Sequence, residues 1–184
     1  GELVMRTNLR WWLSLLLVCS WPGMAEPTSA EQPVLPVTKP SVVAEPQSPI
    51  YGWIETIHLP TQGLLMEAKL DTGAQTSSLD AREIQEFERD DVPWVRFRIE
   101  GERDGQPESQ VVERPILRRV KIRGAGGVDH RYVVRMPLCI GHQAYEEQFT
   151  LRDRSRMAYP VLLGRRTLEH LGAVDVRREH THEP

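Results

Sequence analysis

With 184 residues, 40% of them hydrophobic and 27% charged, the chain can bury one sizeable core but not two. A formal net charge of -3 leaves no basic footprint, which speaks against nucleic acid as a partner. Of the two cysteines, Cys19 is lost if a leader is removed, and Cys139 then has no partner for an internal disulfide. The apolar setting Met136-Pro137-Leu138-Cys139-Ile140 is that of a core thiol rather than a nucleophile.

Met5-Arg6-Thr7-Asn8-Leu9-Arg10 is short and basic, Trp11 to Trp21 is apolar almost throughout, and Gly23-Met24-Ala25 supplies small residues. That order describes a secretory signal over residues 1–25, cleaved after Ala25. An apolar run of about 11 residues reaches roughly 16 Å as a helix, against roughly 30 Å of hydrocarbon for a spanning helix. An uncleaved N-terminal anchor is the alternative. Either form implies transient membrane association through the N-terminus and an exported, periplasmic or cell-envelope location. Half of the fourteen prolines fall within residues 22–49, so residues 26–50 read as a Pro-rich disordered linker and 51–184 as the folded domain.

Within the domain, short apolar stretches predict strands at Tyr51–Leu59, Leu64–Leu70, Trp94–Ile99, Val120–Arg123, His130–Met136, Gln148–Leu151 and Val161–Leu163. Turn chemistry separates them at Pro60–Gly63, Gly101–Gly105 and Gly124–Gly127. Helices are expected at Asp80–Glu88, with Asp80 as N-cap, and at Arg165–Leu171 before Gly172. Many short strands with one or two short helices make an all-β, barrel-like domain.

One stretch carries chemistry: Lys69-Leu70-Asp71-Thr72-Gly73-Ala74-Gln75-Thr76-Ser77-Ser78. An apolar strand delivers Asp71 to a strand end, where a carboxylate can face a cleft. Thr72 can lock the backbone by hydrogen bonding, Gly73 permits a tight turn and close approach, the small Ala74 follows, and Ser77 can donate to the carboxylate. Asp-Thr-Gly is also good turn chemistry, so the motif gains weight from a second one. Tyr159-Pro160-Val161-Leu162-Leu163-Gly164-Arg165-Arg166 is an apolar strand, a glycine, then a helix starting with arginine, about 90 residues after Asp71.

The pair of motifs resembles the retropepsins, in which Leu163-Gly164 would let the first-motif strand thread closely past. Leu151-Arg152-Asp153-Arg154-Ser155-Arg156-Met157-Ala158 continuing to Arg166 looks like a signature of the bacterial retropepsin-like aspartic peptidase family often labelled "ATP-dependent zinc protease". The resemblance covers about Tyr51 to Arg177. It implies a closed β-barrel of the acid-protease fold, Asp71 as the catalytic residue, and Thr72, Gly73, Ala74, Ser77, Leu163, Gly164 and Arg165 as its support. The Gly-rich turn with Gly124, Gly126 and Gly127 has the hinge composition of a flap, a plain hairpin tip being the alternative. Gln75 stands where retroviral members carry an aspartate that pairs with the Gly-Arg helix, so Arg165 must find Asp153, another acid or neutral acceptors.

No cofactor or metal is expected. The chain has neither a Gly-x-x-x-x-Gly-Lys-Ser/Thr loop nor a His-Glu-x-x-His pair, and His180 and His182 read as solvated tail residues. His58 and His130 read as structural histidines. Peptide hydrolysis by carboxylates needs a base and an acid, which two aspartates roughly 3 Å apart provide by sharing a proton. The chain has a single Asp-Thr-Gly, and Asp175 lacks the following Thr-Gly. A homodimer placing Asp71 against its own copy completes the pair, with a protein or peptide as substrate. The alternatives are a non-catalytic peptide-binding module of the same fold and a zinc-dependent hydrolase.

Overall fold

The computed structural model describes residues 48–124 and 127–183. The expected signal segment, the linker before residue 48 and the expected flap residue Gly126 lie outside the described residues. In chain order the elements are β1 (Ile50–Leu59), β2 (Leu64–Leu70), β3 (Ser77–Asp80), β4 (Arg82–Arg89), β5 (Val92–Arg103), β6 (Gln106–Pro115), β7 (Arg118–Gly124), β8 (Gly127–Ile140), β9 (Gln143–Arg152), β10 (Val161–Leu163), α1 (Arg165–Leu171) and β11 (Ala173–Glu179).

Six strands close on themselves: β1 pairs with β8, β8 with β9, β9 with β3, β3 with β10, β10 with β2, and β2 again with β1. The fold is therefore all-β and barrel-like, with one short helix, as the sequence predicts. Alternation fills the ring. Successive strand residues face opposite ways, so Leu64, Met66, Ala68 and Leu70 of β2 point inward together. They join Leu79, Val134, Met136, Leu138, Phe149, Val161 and Leu163 in one core. Each leucine taken fully out of water contributes about 1.5–3 kcal/mol. Cys139 on β8 is a free, half-buried thiol.

Two features lie outside the ring. β4, β5 and β6 form an antiparallel excursion joined to β2 at Leu65–Glu102, and β7 extends β8 as a hairpin. The helix expected at Asp80–Glu88 is not there. Asp80 ends β3, buried, and its Oδ1 accepts the Arg154 N–H at 2.6 Å, so it anchors a distant loop instead of capping a helix. Ile84 and Phe87, three apart, imitate a helical stripe; the cause is a register shift between Arg82 and Gln85, with Glu83 at φ 52°. The tight turn Asp90-Asp91 then has positive φ at both residues, the geometry that matches strand twist.

The C-terminal segment is tied down through one carboxylate. β11 runs parallel to β1, from Ile50–Ala173 to Gly52–Asp175. Beyond it, fully buried Glu55 accepts N–H groups from Gly52 (2.6 Å), Thr181 (3.0 Å) and His182 (3.2 Å), and also the Thr181 hydroxyl. His182 is accordingly half-buried with its ring on Tyr51, 4.3 Å between centroids, whereas His180 is exposed as expected. Burial pushes the Glu55 carboxyl up, but the Thr181 hydroxyl and the three N–H groups outweigh it and hold it below the ordinary 4.5. Its stabilisation is complete above about pH 4.5 and is lost as pH falls through the lowered folded value. Glu55→Ala should cost about 2 kcal/mol or more in urea unfolding at pH 7, because the Thr181 and His182 N–H groups lose their acceptor and Gly52 keeps only Thr181 Oγ1. The gap between the two proteins should narrow as the same titration is repeated toward pH 3.

Candidate active site

Strand pairing places the motif before any side chain does. β2 runs parallel to β10 through Ala68–Val161, Lys69–Leu162 and Leu70–Leu163, and the Asp71 N–H donates to the Leu163 carbonyl at 2.9 Å. Asp71 thus leaves the ring at a fixed angle, with its side chain 26% exposed. Its Oδ1 accepts the Gly73 N–H at 2.9 Å, and Oδ2 lies 3.2 Å from the Lys69 ammonium. Partial burial pushes this carboxyl up; the Gly73 N–H, Lys69 and the Ala74 N–H together hold it below the ordinary aspartate value.

The two motifs are locked together by backbone. Gly164 precedes α1 without a side-chain cap, and the loop supplies the missing acceptors: Ala74 C=O takes the Arg165 N–H at 2.9 Å and Gln75 C=O the Arg166 N–H at 3.3 Å. Arg165 returns the contact, its Nη1 donating to the Thr72 and Gly73 carbonyls at 3.0 Å each. Arg165 has therefore found neutral acceptors, while Asp153 accepts the N–H of Ser155. A Cβ on Gly164 would stand 2.6–2.8 Å from the Thr76 backbone, so the close threading needs glycine.

Ser77 does not orient the carboxylate. It is buried on β3, where its Oγ accepts the Gly164 N–H at 3.0 Å and meets Thr167 Oγ1 at 2.7 Å. Strand alternation turns it into the buried face of β3. Thr167 donates to buried Glu147, which also holds His170 Nδ1 at 2.7 Å. Thr72 and Gly73 are exposed, Ala74 is half-buried, and Leu163 belongs to the core. Asp175 is engaged by Arg177 on β11, which draws its carboxyl down to about 2.

Gly124 and Gly127, two of the expected flap residues, pair at the end of the β7–β8 hairpin. Both strands of that hairpin carry exposed apolar residues, Ile122 and Val128. Among the described residues no three His, Cys, Asp or Glu side chains gather as a metal cluster. Sequence reasoning missed Lys69, Glu147, Thr167 and the buried Arg154, which donates to Ser78 Oγ at 2.7 Å and to the Tyr159 carbonyl at 3.1 Å. For Lys69 a signal existed, since residues two apart on a strand share a face. Glu147 and Arg154 come from remote segments and gave none.

Residues 50–184 match the family model described as RimB-like, retropepsin-like aspartic endopeptidase RimB. The chain belongs to this family. A crystal structure of a protein of unknown function from Legionella pneumophila superposes with a TM-score of 0.62 at 34% identity, covering 73% of this chain and 98% of that one. Two curated relatives are each named "Probable alpha-L-glutamate ligase". The one from Parasynechococcus marenigrum is 35% identical over 136 residues, 73% of this chain and 29% of that protein. The one from Shewanella halifaxensis is 32% identical over 128 residues, 68% of this chain and 28% of that protein. The RimB-like chain thus spans under a third of these relatives' length.

Gly164→Ala should lower stability by about 1–3 kcal/mol in chemical denaturation, because its Cβ meets backbone that cannot rotate away. Ser77→Ala should cost a similar amount by stranding the buried Gly164 N–H.

Proposed function

We propose that the chain is an aspartic endopeptidase that works as a homodimer, with Asp71 of each copy forming the catalytic pair. The observation that carries this reading is a part-exposed carboxylate at a strand end, held by its own Gly73 N–H on a loop braced by α1. One carboxylate cannot serve as acid and base at once. Two copies brought to roughly 3 Å cannot both ionise, so one activates water while the other protonates the leaving nitrogen. The β7–β8 hairpin, with Gly124 and Gly127 paired at its tip, closes over the peptide and excludes water. The basic and apolar leader supports export, with the domain acting on envelope or periplasmic proteins from the end of a Pro-rich tether.

The substrate class has its own support. The homologous segment lies within proteins named as α-L-glutamate ligases, which favours a peptide of α-linked glutamates as the first one to try. Arg165, exposed beside the motif, supplies a cation for such a chain.

Casein and an α-linked oligoglutamate should be digested across pH 3 to 7 by the wild type, in the presence of a chelator. Asp71→Asn and Asp71→Ala should reduce cleavage about 10²–10⁴-fold, and sedimentation should give a dimer as the active species. Equal behaviour of all three proteins at every pH supports the peptide-binding module instead, and loss of activity on chelation the zinc hydrolase.

A further inference from the structure

Building on the aspartic-peptidase reading, we propose that Lys69 is a working member of the Asp71 site, its ammonium favouring the ionised aspartates and so setting the upper pH limit of hydrolysis. Lys69 and Asp71 stand two apart at the end of β2, where strand geometry turns both to one side. Nζ lies 3.2 Å from Oδ2, the oxygen that the Gly73 N–H leaves open by taking Oδ1 at 2.9 Å. Both carboxylate oxygens therefore have a donor, although the side chain faces solvent.

The other charged groups around Asp71 have different employment. From α1, Arg165 spends Nη1 on the Thr72 and Gly73 carbonyls. From the loop between β9 and β10, Arg154 spends its guanidinium on Ser78 and Tyr159, within reach of the Asp71 charge but without a bond to it. Among the described residues, Lys69 is the cation that forms an ion pair with this carboxylate.

In an aspartate pair the opposing carboxylate raises one of the two proton-loss steps, and the working state holds a single proton. One Lys69 per copy places two ammonium groups beside two carboxylates and lowers both steps. The shared proton then leaves at a lower pH than it would from an unaccompanied pair. Contact with a cation shifts a carboxylate by about 1–3 pH units, and the 39% exposure of Lys69 screens the effect toward the lower end, about one unit.

The test is a carboxyl NMR titration of aspartate-¹³C-labelled full chain, wild type against Lys69→Met and Lys69→Arg, with Asp71→Asn used to assign the resonance. Asp71 should titrate about one pH unit higher in Lys69→Met and unchanged in Lys69→Arg. The falling limb of the pH–rate profile on oligoglutamate or casein should move up by the same amount in Lys69→Met alone. The same midpoint for Asp71 in Lys69→Met and the wild type overturns the role of Lys69, and this readout needs no turnover. An Asp71→Asn protein that still cuts would instead sink the peptidase reading, so the two failures are told apart.

Discussion

No side chain fits at residue 164. The turn from β10 into α1 passes the Asp-Thr-Gly loop so closely that a Cβ there would lie 2.6 Å from the Thr76 carbonyl carbon. Everything about the site follows from that contact. It brings the Gly164 N–H onto Ser77, sets the first turn of α1 under the Ala74 and Gln75 carbonyls, and lets Arg165 reach back over Thr72 and Gly73. A glycine with nothing but a hydrogen thereby joins two motifs about 90 residues apart in the chain.

Behind the loop, a line of donors runs to one acceptor. Gly164 donates to Ser77, Ser77 meets Thr167, Thr167 donates to Glu147, and His170 closes on the other Glu147 oxygen. Glu147 is buried, and both of its oxygens are occupied by these partners. In return it raises the proton affinity of His170, chiefly through their hydrogen bond. The line ties β3, β9 and α1 into one rigid floor. Asp71 on the other side depends on backbone contacts and on Lys69 for its orientation.

The excursion of β4, β5 and β6 bears on the β7–β8 hairpin. Glu86 of β4 takes both Nε and Nη2 of Arg119 at the base of β7. Exposed ion pairs contribute little to stability, yet a two-pronged arginine contact restricts direction. The excursion therefore gives the base of the hairpin a lateral brace.

Strands with regular apolar alternation were legible from the chain alone: Leu64–Leu70 and Val161–Leu163 have the predicted bounds, and α1 begins and ends where Arg165 and Gly172 place it. The Asp-Thr-Gly and Leu-Leu-Gly-Arg motifs were legible for the same reason, since local residue types define them. β6, with Gln106-Pro107-Glu108-Ser109-Gln110, has no apolar period, and its strand state comes from pairing over its whole length with Trp94–Arg103 of β5. β4 looked helical because a bulge reproduces a spacing of three. What composition and motif determined was the class of fold and the place of Asp71 at the end of an apolar strand. The partners of Ser77, Arg165 and Glu55 were decided only in three dimensions, because each lies across the sheet from donors or acceptors that no local pattern of residues announces.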